Sequence, residues 1–107
     1  MSIVVIGVNH RTGPLELLER VAIPGSEVPK AVIGLTSRQN IREAVVLTTC
    51  NRTEVYAVAE KFHGAYADIR DFFSELSGLA PDDLHAHLYS QHDQGAINHL
   101  FEVAYVV

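Results

Sequence analysis

Two hydrophobic periods alternate along this chain of 107 residues, and that alternation limits the fold more than any single motif does. Phe62, Ala65, Tyr66, Ile69, Phe72, Phe73 and Leu76 recur at helical spacing, which predicts an amphipathic helix stopped by Gly78. Ile3 to Val8 and Ala44 to Thr48 are short, apolar and rich in β-branched residues, as buried strands are. Glu54 to Glu60 alternates, with Val55, Ala57 and Ala59 on one side and Tyr56 and Val58 on the other. That is a third strand, joined to the second through Cys50 to Thr53. Pro14 suits the first turn of a helix over Leu15 to Val21. Ser26 is placed to cap a second helix with its stripe at Val28, Ala31, Val32 and Leu35. Leu84 to Ser90 predicts a fourth strand. Asp93 is placed to cap a last helix that turns Ala96, Ile97, Leu100, Phe101 and Ala104 to the core.

The resulting order, β-α-α-β-β-α-β-α, makes the chain α+β: a ferredoxin-like antiparallel sheet with helices packed on one face. The length suits a single domain over residues 1–107. One cysteine leaves no internal disulfide, and no apolar run approaches the roughly 20 residues that span a bilayer. The N-terminus has no basic segment of a signal peptide. These features predict a cytoplasmic location. A formal net charge of −5 excludes a domain that grips nucleic acid by charge alone. The sequence stops at Tyr105-Val106-Val107 inside an apolar helical stretch, which predicts a chain truncated at its C-terminus.

The chemistry gathers around "VVLTTCNRTEVYA", residues 45 to 57. A thiol attacks as its thiolate, which a nearby cation favours. Arg52 lies two residues from Cys50 and shares its face if strand geometry runs through Asn51. Thr48, Thr49 and Asn51 add hydroxyl and amide groups for a polar substrate. The residues alone leave a second reading open, Cys50 as a small buried hydrophobe. His99, at the edge of the last helix's stripe near Val103, is either a solvated surface group or an acid–base group facing a cleft. His85 and His87 share a strand face, but no CxxC or HExxH accompanies them, and no metal site is expected. His10-Arg11-Thr12 follows a strand end, as a turn or as part of a polar binding site.

Three stretches together resemble the N-terminal catalytic domain of glutamyl-tRNA reductases: GVNHRTGPLELLERV (7 to 21), VVLTTCNRTEVYA (45 to 57) and HLFEVA (99 to 104). The resemblance implies that Cys50 attacks the ester of glutamyl-tRNA to form a thioester, which NADPH reduces to glutamate-1-semialdehyde in tetrapyrrole synthesis. It implies that Arg52 recognises the glutamate, that Thr49 and Asn51 flank the thiol, and that His99 acts beside the reaction centre. It places His10, Arg11 and Thr12 in a loop lining the same pocket. It implies a homodimer for the whole enzyme and glutamate-1-semialdehyde aminomutase as a partner. Gly13 departs from the family's usual Ala or Ser, and Tyr105-Val106-Val107 stands where the family continues S-G-L-(D/E)-S. No G-x-G-x-x-G fingerprint is present, so the NADPH site is expected in a domain absent here, leaving these residues at most a thioester-forming esterase. A non-catalytic ferredoxin-like binding module derived from this family is the alternative.

Overall fold

The β-branched runs form the middle of a four-stranded sheet. In the computed structural model, which describes residues 1–106, the strands are β1 (Ser2–Asn9), β2 (Ile41–Thr49), β3 (Arg52–Ala59) and β4 (Tyr89–His92). The helices are α1 (Leu15–Val21), α2 (Val28–Thr36), α3 (Phe62–Ser77), α4 (Pro81–His85) and α5 (Gln94–Val106). The strand order is β2-β3-β1-β4, and every neighbouring pair is antiparallel. The ferredoxin-like layout follows: β1 and β2 flank β3, and β3 and β4 flank β1, so each half is a split β-α-β unit.

Because side chains alternate across a strand, the sheet has two separate faces. Val4, Ile6 and Val8 of β1 join Val55, Ala57 and Ala59 of β3 on the first. Onto it pack Leu17, Leu18 and Val21 of α1, Leu35 of α2, Ile69, Phe72 and Phe73 of α3, and Leu84 of α4. The helical stripe over residues 62–76 drives this face: Ala65, Ile69, Phe72 and Phe73 are buried, while Leu76 is partly exposed. Gly78 ends the helix at φ 76°, the left-handed conformation that glycine adopts without strain.

The last helix departs from the expected arrangement of helices on one face. α5 lies on the second face, where Ala96 packs with Val5 and Tyr56. The small Ala96 lets the helix come close to the sheet, and the inward positions along its length are then His99 and Val103. Leu100 and Phe101, expected in the core, are exposed instead.

Three local expectations also change. The strand foreseen at Leu84 to Ser90 is only Tyr89–His92, because Pro81, Asp82 and Asp83 open the short helix α4. His85 therefore ends a helix, where its Nδ1 meets the Tyr66 hydroxyl at 2.8 Å, and it shares no strand face with His87. Asp93 has φ 52° and its carboxylate turns back to β1, Oδ1 accepting the Ile3 N–H at 3.2 Å. Only its backbone carbonyl serves α5, accepting the Ile97 N–H at 3.1 Å. Ser26 sits inside a 3-10 turn (Gly25–Glu27), and no side chain caps α2.

Candidate functional site

The β2–β3 hairpin builds the first wall of the site. Thr49 pairs with Arg52, so Cys50 and Asn51 alone make the turn, shorter than the expected link through Thr53. Strand geometry breaks at Cys50, and Cys50 and Arg52 do not sit on one strand face. The thiol is exposed, which removes the reading of Cys50 as a buried apolar filler. Thr49 Oγ1 accepts the Asn51 N–H at 3.2 Å and shapes the turn. Thr48 belongs to the opposite face, where its hydroxyl meets that of Thr53 and accepts the Ile23 N–H.

The β1–α1 loop is tied beside this hairpin by the His10 N–H, which donates to Asn51 O at 3.0 Å. Asn9 Oδ1 accepts the N–H groups of Arg11 and Thr12, and the Asn9 N–H donates to Thr12 Oγ1. Thr12 is thus the brace of the loop, held further through its carbonyl by His87 Nδ1 at 3.0 Å. Its neighbours His10 and Arg11 are the residues of this loop that reach the cleft.

The cleft measures about 460 Å³. Asn9, His10, Arg11, Thr49, Asn51 and Arg52 line it from the sheet side, and His99, Glu102 and Val103 from α5. Of the seven expected site residues besides the thiol, His10, Arg11, Thr49, Asn51 and Arg52 line the cleft from one end of the sheet, and His99 closes over them from the second face. Cys50 and Thr12 are not among the lining residues, although both chain neighbours of Cys50, Thr49 and Asn51, are. Arg11 and Arg52 bring two guanidinium groups to the cleft wall against one lining carboxylate, Glu102, an arrangement that offers paired donors to a carboxylate ligand.

Beneath the cleft lies a buried carboxylate. Glu54 is fully buried and has four partners, Arg52 and Tyr56 from its own strand β3, Tyr89 from β4 and His99 from α5. Tyr56 donates its hydroxyl to Oε1 at 2.9 Å, and Tyr89 donates to Oε2. His99 Nε2 lies 2.5 Å from the same Oε2, and Arg52 Nη1 lies 3.6 Å from it. Burial and then the bond to Glu54 push the pKa of both tyrosines well above the ordinary phenol value, so both remain donors. The rings of Tyr89 and His99 also touch, with centroids 5.4 Å apart.

A family model described as "Glutamyl-tRNAGlu reductase, N-terminal domain" matches residues 6–106. The chain belongs to this family. A glutamyl-tRNA reductase of Frankia alni is 50% identical over 103 residues, which is 96% of this chain and 22% of that protein. One from Geobacter metallireducens is 38% identical over 104 residues, 97% of this chain and 24% of its own length. The solved glutamyl-tRNA reductase of Methanopyrus kandleri superposes with a TM-score of 0.58 at 32% identity, covering 95% of this chain and 22% of that one. The chain thus spans less than a quarter of the length of these relatives.

Within this family domain, two contributors were not singled out from the sequence. Glu54 reads there as the polar start of a strand, and Gly7 as one residue of an apolar run. They are register partners: Gly7 pairs with Glu54 on one side and Tyr89 on the other. A Cβ at Gly7 would stand 2.8 Å from Glu54 Cγ, 2.9 Å from Thr53 O and 3.1 Å from the Tyr89 hydroxyl. The usable signal was a glycine inside a β-branched strand, which marks close approach of another group. Among the described residues no cluster of three His, Cys, Asp or Glu could hold a metal ion, and no helix is long and apolar enough to cross a membrane. Nor do they form a doubly wound dinucleotide-binding unit, since all neighbouring strands are antiparallel and that unit is built on adjacent parallel strands with a glycine-rich turn.

Proposed function

We propose that this chain takes the glutamyl group from glutamyl-tRNA onto Cys50. The observation that carries the reading is the convergence of Arg52 and His99 on one cleft next to the turn that carries an exposed thiol. Cys50 Sγ attacks the ester carbonyl, an S–C bond forms, and the C–O bond to the terminal ribose breaks. The thiol proton ends on the ribose oxygen, with His99 as the group that passes it. Arg52 receives the side-chain carboxylate of the glutamate, aided by Arg11 and His10, while Thr49 and Asn51 hold the turn and its polar contacts. Thr12 contributes by keeping that loop in place.

Reduction by NADPH to glutamate-1-semialdehyde, the step that feeds tetrapyrrole synthesis, is part of the same proposal for the whole protein. So are its cytoplasmic location, its homodimer and the hand-over of the aldehyde to the aminomutase. No step through NADPH is assigned to the residues of this chain. A second reading, a module that binds the glutamyl end without acyl transfer, draws support from Cys50 not being among the residues that line the cleft.

The test is incubation of the chain with radiolabelled glutamyl-tRNA and NADPH, followed by separation of the products. The proposal predicts slow release of labelled glutamate, as water hydrolyses the thioester, and loss of that release in Cys50→Ser. Semialdehyde made by this chain alone would contradict the assignment of hydride transfer elsewhere. Binding of glutamyl-tRNA with no release above the uncatalysed rate would favour the module.

A further inference from the structure

The ordinary reading of His99 leaves open which of its two nitrogens works. The surroundings of Glu54 answer it. A buried carboxylate accepts hydrogen bonds and offers none, and two of its acceptor sites are filled by the Tyr56 and Tyr89 hydroxyls. Both phenols are held in the protonated, donating form, so neither takes a proton from the cluster. Arg52 Nη1 supplies positive charge at 3.6 Å, and the carboxylate form is the one these donors match. His99 Nε2 at 2.5 Å from Oε2 must then bear the hydrogen.

We propose that Glu54, clamped by Tyr56 and Tyr89, is a positioning residue that fixes the proton of His99 on Nε2 and leaves Nδ1 as the nitrogen that exchanges protons at the cleft. The role of the cleft in acyl transfer rests on the reading above, but the position of the proton does not. Tyr89 serves twice, since its ring braces the imidazole and its hydroxyl braces the carboxylate. The division of Arg52 follows from the same geometry: Nη1 faces Glu54, and the remaining guanidinium donors are left for a ligand carboxylate. The charged and titratable groups around His99 are Glu54 and Tyr89 from the sheet, Glu102 from its own helix, and Arg52, His10 and Arg11 across the cleft.

The experiment is a long-range proton–nitrogen correlation spectrum of the chain with ¹⁵N-labelled histidine, recorded without substrate above the pH at which His99 becomes neutral. The expected result is one tautomer, protonated at Nε2. In Glu54→Gln the side-chain amide can present either an acceptor or a donor, so both tautomers should appear. The rate of glutamate release at saturating glutamyl-tRNA should fall by about a hundredfold with little change in KM. Tyr89→Phe keeps the carboxylate, so it should keep the Nε2–H tautomer while lowering the rate less. A wild-type His99 protonated at Nδ1, or an even mixture in wild type and Glu54→Gln alike, would overturn the proposal. Should Glu54→Gln fail to fold, the wild-type and Tyr89→Phe spectra still decide. An Nε2–H tautomer in a chain that never releases glutamate would sink the acyl-transfer reading and leave the positioning role standing.

Discussion

The two faces of the sheet are built from alternate residues of the same strands, yet they do different physical work. On the first, Ile6, Val55 and Phe73 are fully buried among other apolar groups, and stability comes from area removed from water. On the second, Glu54 is equally buried one residue away from Val55, and the partners around it are polar. Taking a carboxylate out of water is expensive unless it is fully bonded, so this face gains less from folding and gains a fixed constellation instead. The comparison teaches that period 2 lets one strand serve the core and the site at once. β3 does so with Val55, Ala57 and Ala59 on one side and Arg52, Glu54 and Tyr56 on the other.

Breaking the apolar face should have the largest effect on stability. Phe73→Ala removes a fully buried ring and should destabilise the chain by ~3–5 kcal/mol in urea unfolding, with the His99 tautomer unchanged in the folded fraction. A loss below ~1 kcal/mol would mean that the core does not rest on α3 as described. Breaking the polar face from within should be milder. Gly7→Ala places a methyl where Glu54 and the Thr53 carbonyl already stand, for a loss of ~1–3 kcal/mol together with a change in the His99 ring signals. Stability loss with unaltered His99 signals would show that Gly7 serves packing alone.

The faces should also separate with pH. Tyr56 and Tyr89 have folded pKa values raised above the unfolded value of about 10, and the folded state holds their protons more tightly. Their contribution is therefore complete below pH 10 and is lost as the pH rises beyond it. The slope should be about 1.4 kcal/mol per pH unit for each tyrosine until its folded pKa is reached. Tyr89→Phe should remove one share of that slope in alkaline unfolding curves; a slope identical to wild type would place Tyr89 outside the cluster. The smallest stability effect belongs to Cys50→Ser, within ~0.5 kcal/mol, because the thiol is exposed in a turn.

Most of the apolar face was legible in the sequence, since the residue 62–76 stripe and the alternation in Glu54 to Glu60 report burial through regular spacing. The fourth strand was misplaced because Leu84 and Leu88 look alike in a short apolar run. The Pro81-Asp82-Asp83 start assigns the first of them to a helix. Around the cleft, Cys50, Arg52 and His99 were singled out through local motifs, and the structure brings Arg52 and His99 to one cleft with Cys50 in the adjoining turn. Glu54 was not, because its burial depends on partners at positions 52, 56, 89 and 99, brought together by strand register and by the rotation of α5. The last helix misled for a related reason: Leu100 and Phe101 outweigh Ala96 and Val103 in hydrophobicity, but the close approach at Ala96 sets which side faces the sheet.

The claim that the polar face is an acyl-transfer site is tested most directly by mass spectrometry of the chain quenched in acid after mixing with glutamyl-tRNA. The account predicts a mass increase of one glutamyl residue, located on the peptide that carries Cys50 and removed by hydroxylamine. It predicts no such adduct in Cys50→Ser. An unmodified Cys50 peptide from a chain that demonstrably binds glutamyl-tRNA, or an adduct on any other residue, would contradict it.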